Sequence, residues 1–102
     1  MSLAVGDRFP VDIAVDGRGG RITLSEMITG GPLVVAFHRL WCPFCQQAAR
    51  DLAAAKDQLD AVGAQVVIVY REHMVTACRS CTQRAIPFEC VSDADPWLSH
   101  AV

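Results

Sequence analysis

The sequence predicts an α/β domain built around a strand, a helix and a second strand. Residues 33–37 and 65–70 are almost continuously apolar and rich in valine, as is typical of strands covered on both faces in a parallel sheet. Between them, apolar residues recur at helical spacing from Cys45 to Val62, and Gly63 ends this pattern. Two parallel strands joined by a helix form a right-handed βαβ unit, which we expect at the centre of the fold.

A hairpin is predicted before this unit. Apolar and polar residues alternate from residue 11, and the turn-forming residues 16–20 interrupt the alternation before it resumes to residue 23. Ser25 is suited to cap a short helix over residues 26–29, which the following Gly30 and Gly31 end. The chain is therefore expected to enter the βαβ unit through a hairpin and one helical turn.

A further helix and strand are predicted after this unit. Met74, Ala77 and Cys81 lie along one side of a helix over residues 73–84. Residues 86–91 form a short extended segment in this interpretation, and residues 92–96 a turn or helix cap. Residues 97–102 begin another helix.

Length and charge limit the classes of function. The 102 residues are 52% hydrophobic and predict one domain over residues 1–102. One lysine and eight scattered arginines form no basic stripe, so we expect no nucleic-acid partner. The strongly apolar run 32–37 is far shorter than the roughly 20 residues of a bilayer helix, so no membrane partner is expected. Without the pattern of a secretory leader, the sequence predicts a cytoplasmic protein with reduced cysteines.

Five cysteines are the unusual feature of the composition. Four of them form two pairs with identical spacing, Cys42 with Cys45 and Cys78 with Cys81, while Cys90 stands apart. In a protein predicted to be cytoplasmic, such pairs favour redox or metal chemistry over structural disulfides.

The first pair lies where a predicted strand gives way to a helix. The amino terminus of a helix stabilises an anion, so it should lower the pKa of Cys42 from the ordinary thiol value of about 8.5. Pro43 suits the first helical position. Two intervening residues bring the Cys42 and Cys45 sulfurs close enough to alternate between dithiol and disulfide.

Residues just before the pair are expected to support it. Arg39 contributes positive charge, Trp41 an apolar wall, and His38 a candidate proton acceptor. Two cysteines packed on a buried helix face, or half of a metal site, are the alternatives. A CxxC pair beside a βαβ unit is nevertheless typical of a thioredoxin-like redox motif, so Cys42 and Cys45 are the candidate catalytic residues.

Several interpretations of the second pair stay open. Cys78 and Cys81 are either small core residues of a helix or secondary thiols, with Cys78 within reach of a relay from the first pair. Four cysteines in two CxxC pairs also suggest a zinc-binding or interaction module without enzymatic activity. However, 32 residues separate Cys45 from Cys78, whereas zinc ribbons typically have about 15 to 20 between pairs. Cys90 is predicted to lie in the core.

These motifs resemble those of the thioredoxin-fold superfamily and, within it, the peroxiredoxin-like proteins of the AhpC/TSA group. The sequence WCPFC over residues 41–45 is similar to the tryptophan-led pair of thioredoxins, and its CPFC core to the CPYC of glutaredoxins. Residues 5–10, 24–27 and 33–37 resemble the segments that precede the active site of peroxiredoxins, and residues 86–95 resemble a later segment of that group. The resemblance covers most of the chain.

This resemblance implies a thiol-disulfide oxidoreductase with an antioxidant role in cell redox homeostasis. Cys42 would attack and Cys45 would resolve, as in thioredoxin. The implied partners are a protein or small-molecule disulfide, or a hydroperoxide, together with a thiol reductant, and the resemblance implies no cofactor and no metal. The alternative within this class is a thiol peroxidase with Cys45 as the peroxidatic cysteine. In that assignment the sequence departs from the pattern of typical peroxiredoxins, which have threonine or serine at the position of Cys42 and proline at the position of His38.

The resemblance also concerns the end of the chain. A thioredoxin core has two further strands and a final helix after its second helix, and this sequence stops before them. The single domain is therefore expected to lack carboxyl-terminal elements. An open sheet edge invites strand pairing, so a homodimer is among the expected partners.

Overall fold

The computed structural model of the protein describes residues 4–28, 30–95 and 97–101. Five strands form one sheet in the order β2-β1-β5-β4-β3, with helices packed against it. The α/β class is as predicted. In chain order the elements are β1 (Ala14–Gly17), β2 (Gly20–Thr23), a 3-10 helix (Leu24–Met27), β3 (Leu33–His38), α1 (Pro43–Ala54), α2 (Lys56–Ala61), β4 (Gln65–Tyr70), α3 (Met74–Gln83), β5 (Glu89–Ser92) and α4 (Trp97–Ala101).

Three parallel strands define the edge of the sheet at which the cysteine pair lies. β3 pairs with β4 over its whole length, with His38 opposite Tyr70. β4 pairs with β5, with Tyr70 opposite Ser92. The predicted βαβ pairing is thus confirmed, and the carboxyl ends of β3, β4 and β5 lie side by side. The predicted hairpin is also confirmed, because β1 and β2 are antiparallel.

The core has one cluster on each face of the sheet, and β4 contributes to both. Its residues alternate between the two faces, as in any strand. The buried members on the face that carries α1 and α3 are Ala49, Val66, Ile68, Tyr70, Ala77, Cys81 and Cys90. The buried members on the other face are Val15, Leu24, Val67, Val69, Val91 and Leu98.

β3 differs from its prediction. β4 is covered on both faces as expected, but β3 lies at the end of the strand order and leaves Val34 and Phe37 36% and 39% exposed. Within the described residues, no strand pairs with its outer side. The prediction of a strand covered on both faces is therefore wrong for β3, because apolar composition alone does not distinguish a central strand from an edge strand.

The helix that was predicted to continue to Val62 is divided at Ala55. The backbone N–H of Ala55 is shared between the carbonyl oxygens of Asp51, at 3.2 Å, and Leu52, at 3.1 Å, so the turn tightens before α2 begins. No glycine or proline marks this break in the sequence. None of the helices in the described ranges has both the length and the apolar character that crossing a membrane requires.

The observed bounds of the shorter helices differ slightly from the predicted ones. The 3-10 helix begins at Leu24, so Ser25 lies inside it and Thr23 precedes it; the predicted end at Thr29 falls outside the described residues. α3 agrees with its prediction to within one residue at each end. At the start of α4, hydrogen bonds from the backbone N–H groups of Leu98 and Ser99 reach the buried carboxylate of Asp93, at 3.3 and 2.7 Å. This is the cap predicted within residues 92–96; Val102 lies outside the described residues.

The carboxyl end of α3 contains a left-handed residue that is not glycine. Ala85 has a φ of 53°. Its N–H bonds to the carbonyl oxygen of Thr82 at 3.2 Å, and the N–H of Ile86 bonds to that of Cys81 at 3.0 Å. This is the Schellman motif, whose left-handed position is usually glycine because a Cβ atom is strained there.

We expect Ala85→Gly to stabilise the protein by about 0.5–1 kcal/mol. Relief of the left-handed strain, about 1–2 kcal/mol, exceeds the entropy of about 0.4–1 kcal/mol that glycine adds to the unfolded chain. Urea denaturation measures the difference. As a control, Ala54→Gly in the exposed last turn of α1 should cost up to about 1 kcal/mol. Equal destabilisation by both substitutions would contradict the strain at Ala85.

Candidate active site

The first cysteine pair lies at the junction of β3 and α1. β3 ends at His38, a three-residue loop follows, and Cys42 is the residue that caps α1. Pro43 occupies the start of the helix, as predicted. The pair is therefore at the edge of the sheet where the three parallel strands end.

A hydrogen bond within the pair makes the two thiols unlike. The backbone N–H of Cys45 donates to Sγ of Cys42 at 3.4 Å, so the sulfur takes the place of a capping oxygen. This N–H is the main cause of a lowered pKa at Cys42, and the Cys45 thiol and the Phe44 N–H lower it further. They outweigh the burial that opposes them. Of the two thiols in this pair, Cys42 is consequently the one that ionises more easily.

The pKa of Cys45 shifts in the opposite direction. Burial raises it most, and interactions with Cys42 and the charge of Glu72 raise it further, whereas a bond from the Arg39 backbone lowers it. Cys45 therefore keeps its proton at a pH at which Cys42 loses its own. Such a pair can supply a nucleophile and a second thiol in one helical turn.

The predicted supporting residues occupy different positions around this pair. The guanidinium of Arg39 lies 5.6 Å from the Trp41 ring, and its Nε lies 3.4 Å from Glu72 Oε2. The Arg39 side chain is not among the groups that lower the pKa of Cys42. His38 is 8% exposed and meets the ring of Tyr70 edge-on, at 6.3 Å between centroids. Burial lowers the pKa of His38.

Glu72 belongs to the site although the sequence did not single it out. Its Oε2 accepts the N–H of Leu40 and Nε of Arg39, each at 3.4 Å. Its Oε1 is buried and has no hydrogen-bond partner among the described residues.

The loop before Cys42 is also held through the carbonyl oxygen of Leu40, which accepts hydrogen bonds from Nε2 of Gln46 at 2.9 Å and from the Arg84 guanidinium at 3.4 Å. The loop before Cys42 is thus held from β4, α1 and α3. Parallel strand ends place residues 70–72 near Cys42, but sequence does not show which atoms meet.

The other three cysteines lie on later elements, Cys78 and Cys81 on α3 and Cys90 on β5. Cys78 is half-buried, Cys81 and Cys90 are buried, and all five cysteines are free thiols. Across the described ranges, no group of three or more His, Cys, Asp or Glu residues is arranged to hold a metal ion. The zinc alternative therefore has no ligand set in this part of the chain.

Two cavities lie at opposite ends of the parallel strands. One of about 510 Å³ lies at the amino ends of the parallel strands, beside Leu33, Gln65 and Glu89. Another of about 270 Å³ borders the loop at His38 and Arg39. No cysteine lines either of them.

The AhpC/TSA family profile matches residues 5–101 of this chain. The chain has no significant match among curated proteins.

Solved structures with similar folds include proteins from Xanthomonas, Chlorobium and Xylella. Peroxiredoxin Q from Xanthomonas campestris is 26% identical, with a TM-score of 0.80 over 92% of this chain. A putative thiol:disulfide interchange protein DsbE from Chlorobium tepidum is 28% identical, with a TM-score of 0.84 over 98% of this chain and 70% of its own. PrxQ from Xylella fastidiosa, 23% identical, shows the fold alone, with a TM-score of 0.85 over 99% of this chain and 66% of its own.

These structures confirm the thioredoxin-like fold that the sequence predicts. The similarity extends across nearly all of this chain but less of the other proteins. The aligned region spans 62% of the Xanthomonas protein.

We expect Glu72→Gln to lower the pKa of Cys45. The substitution removes the negative charge that raises this pKa but keeps an oxygen for the N–H of Leu40. Cys45 should then react faster with iodoacetamide near neutral pH, which mass spectrometry can follow cysteine by cysteine. Glu26→Gln, on the exposed 3-10 helix, is the matched control. An unchanged Cys45 profile in Glu72→Gln would rule out this coupling.

Proposed function

The chain belongs to the AhpC/TSA family, and from this we propose that it is a thiol-disulfide oxidoreductase acting through Cys42 and Cys45. The observation that carries the proposal is the 3.4 Å hydrogen bond from the Cys45 N–H to Cys42 Sγ. The two thiols have pKa values shifted in opposite directions, down at Cys42 and up at Cys45. Disulfide exchange requires one thiolate that attacks and one thiol that resolves.

In the first step, the Cys42 thiolate attacks one sulfur of a substrate disulfide. A new bond joins Cys42 to that sulfur, the substrate S–S bond breaks, and the other substrate sulfur leaves as a thiolate. Trp41 and Phe44 flank Cys42 in sequence and are 68% and 86% exposed. They provide an open apolar surface on both sides, which suits a substrate that approaches over the surface.

In the second step, Cys45 resolves the mixed disulfide. It loses its proton and attacks the Cys42 sulfur, which releases the reduced substrate and leaves a Cys42–Cys45 disulfide. The first step removes the negative charge on Cys42, one of the causes of the raised pKa of Cys45. Cys45 therefore becomes easier to ionise at the step that needs its thiolate. A thiol reductant, which we propose as the partner, would return the pair to the dithiol.

Reduction of a hydroperoxide is a second candidate function. The family match and the 26% identity to peroxiredoxin Q favour it. The Cys42 thiolate would attack the terminal oxygen, the O–O bond would break, and the alkoxide or hydroxide would leave and take up a proton. Cys42 would then be a sulfenic acid, which the Cys45 thiol would convert to the disulfide with release of water. The alternative with Cys45 as the peroxidatic cysteine is less well supported, because burial raises the pKa of that thiol. The cytoplasm remains the location that we propose from the sequence.

Cys42→Ser should reduce insulin reduction to the rate of the thiol reductant alone, because the attacking thiolate is lost. Cys45→Ser should retain the first step and accumulate a mixed disulfide between Cys42 and the substrate, visible as an added mass. Turbidity and intact-mass spectrometry measure the two effects. Cys78→Ser is the control and should keep the activity. Full activity in Cys42→Ser would contradict the proposal.

A further inference from the structure

A second pair of thiols lies in the core between the sheet and α3. Cys81 on α3 and Cys90 on β5 are 1% and 0% exposed, and both belong to the cluster that contains Tyr70. Sγ of Cys90 donates to the carbonyl oxygen of Phe88 at 3.7 Å, and each of the two thiols is the largest single influence on the pKa of the other. Spacing along the sequence pairs Cys81 with Cys78, but the structure brings Cys81 to Cys90 instead.

The surroundings of Cys81 favour its ionised form. Sγ of Cys81 lies 3.7 Å from the hydroxyl oxygen of Tyr70, at the end of β4. The interaction with the Cys90 thiol, the Tyr70 hydroxyl and the charges of Arg18 and Arg84 together lower the pKa of Cys81 to about 7, against the effect of burial. The pKa of Cys90 is raised, first by its interaction with the Cys81 thiol and then by burial. Near neutral pH a thiolate therefore lies beside a thiol, which is the starting state for a disulfide.

A small cleft approaches this pair from the surface. It has a volume of about 230 Å³ and lies between α1 and the end of α3. Two of its lining residues, Ala49 and Ile86, also pack in the cluster that holds Cys81 and Cys90. A macromolecular disulfide cannot reach sulfurs that are 1% and 0% exposed, whereas a small molecule in the cleft already contacts members of the cluster that holds them.

We propose that Cys81 and Cys90 are a second redox site, which a small hydroperoxide oxidises to a disulfide that links α3 to β5. The sulfur of Cys81 attacks the terminal peroxide oxygen, the O–O bond breaks, and the alkoxide or hydroxide leaves and takes up a proton. Cys81 is now a sulfenic acid. The Cys90 sulfur attacks the Cys81 sulfur, and the hydroxyl leaves as water with the Cys90 proton. Two electrons pass from the two thiols to the peroxide.

This site differs from the Cys42–Cys45 pair in its exposure. Trp41 and Phe44 beside the first pair are exposed, whereas Cys81 and Cys90 are buried and suit a small oxidant. The two are nevertheless close in the fold, because Tyr70 contacts His38 at the end of β3 and Arg84 reaches Leu40 in the loop before Cys42. Oxidation of the buried pair would fix α3, which supports that loop.

The test uses full-length protein with Cys42→Ser and Cys45→Ser, so that a failure of the proposed function cannot affect the result. Hydrogen peroxide is added, free thiols are alkylated, and disulfide-linked peptides are identified by mass spectrometry. We expect a link between Cys81 and Cys90 that also forms when Cys78→Ser is added. A link between Cys78 and Cys81 in its place, or no internal link, would overturn the proposal.

The pH dependence provides a second readout on the same protein. The rate of Cys81–Cys90 linkage should rise through about pH 7, where Cys81 loses its proton. Tyr70→Phe removes one group that lowers this pKa, so it should slow linkage at pH 7 and leave the rate at pH 9 nearly unchanged. Circular dichroism checks that the variant is folded. A linkage rate that does not change with pH in the protein that retains Tyr70 would contradict the role of the Cys81 thiolate.

Discussion

The candidate active site depends on one contact, the hydrogen bond from the Cys45 backbone N–H to the Cys42 sulfur at the start of α1. A helix leaves its first N–H groups without partners, and here a sulfur atom satisfies one of them. The same contact does two things. It ends the loop after β3 at a defined point, and it separates two chemically identical thiols into one that ionises easily and one that does not. Moving Cys42 by one residue would remove both effects.

The rest of the structure holds this contact in position. The parallel pairing of β3, β4 and β5 brings three strand ends to one edge, so Glu72 at the end of β4 can reach the loop before Cys42. Gln46 and Arg84 bind the Leu40 carbonyl oxygen from α1 and α3. The loop is therefore held by elements that are distant in sequence. The Glu72 carboxylate has two effects on the site. It accepts the backbone N–H of Leu40, which orders the loop, and its negative charge raises the pKa of Cys45.

Much of this architecture could be predicted from local patterns. The bounds of β4 agree with its apolar run, and the position of Cys42 between a strand and a helix followed from residue spacing. The features that the sequence did not predict depend on contacts between elements that are distant in the sequence. An apolar run does not reveal that β3 has a neighbour on one side alone, and no residue type marks the turn at Ala55. The position of Cys81 and Cys90 in one buried cluster depends on how α3 packs over β5, whereas the repeated CxxC spacing grouped Cys81 with Cys78.

The proposed chemistry requires that Cys42 is the thiol of the first pair that ionises more easily. Alkylation with iodoacetamide across a range of pH, followed by mass spectrometry that distinguishes all five cysteines, measures this most directly. We expect Cys42 to titrate below the ordinary pKa of a thiol and to be labelled before Cys45, whose own curve lies above it. Faster labelling of Cys45, or the same curve for both residues, would contradict it.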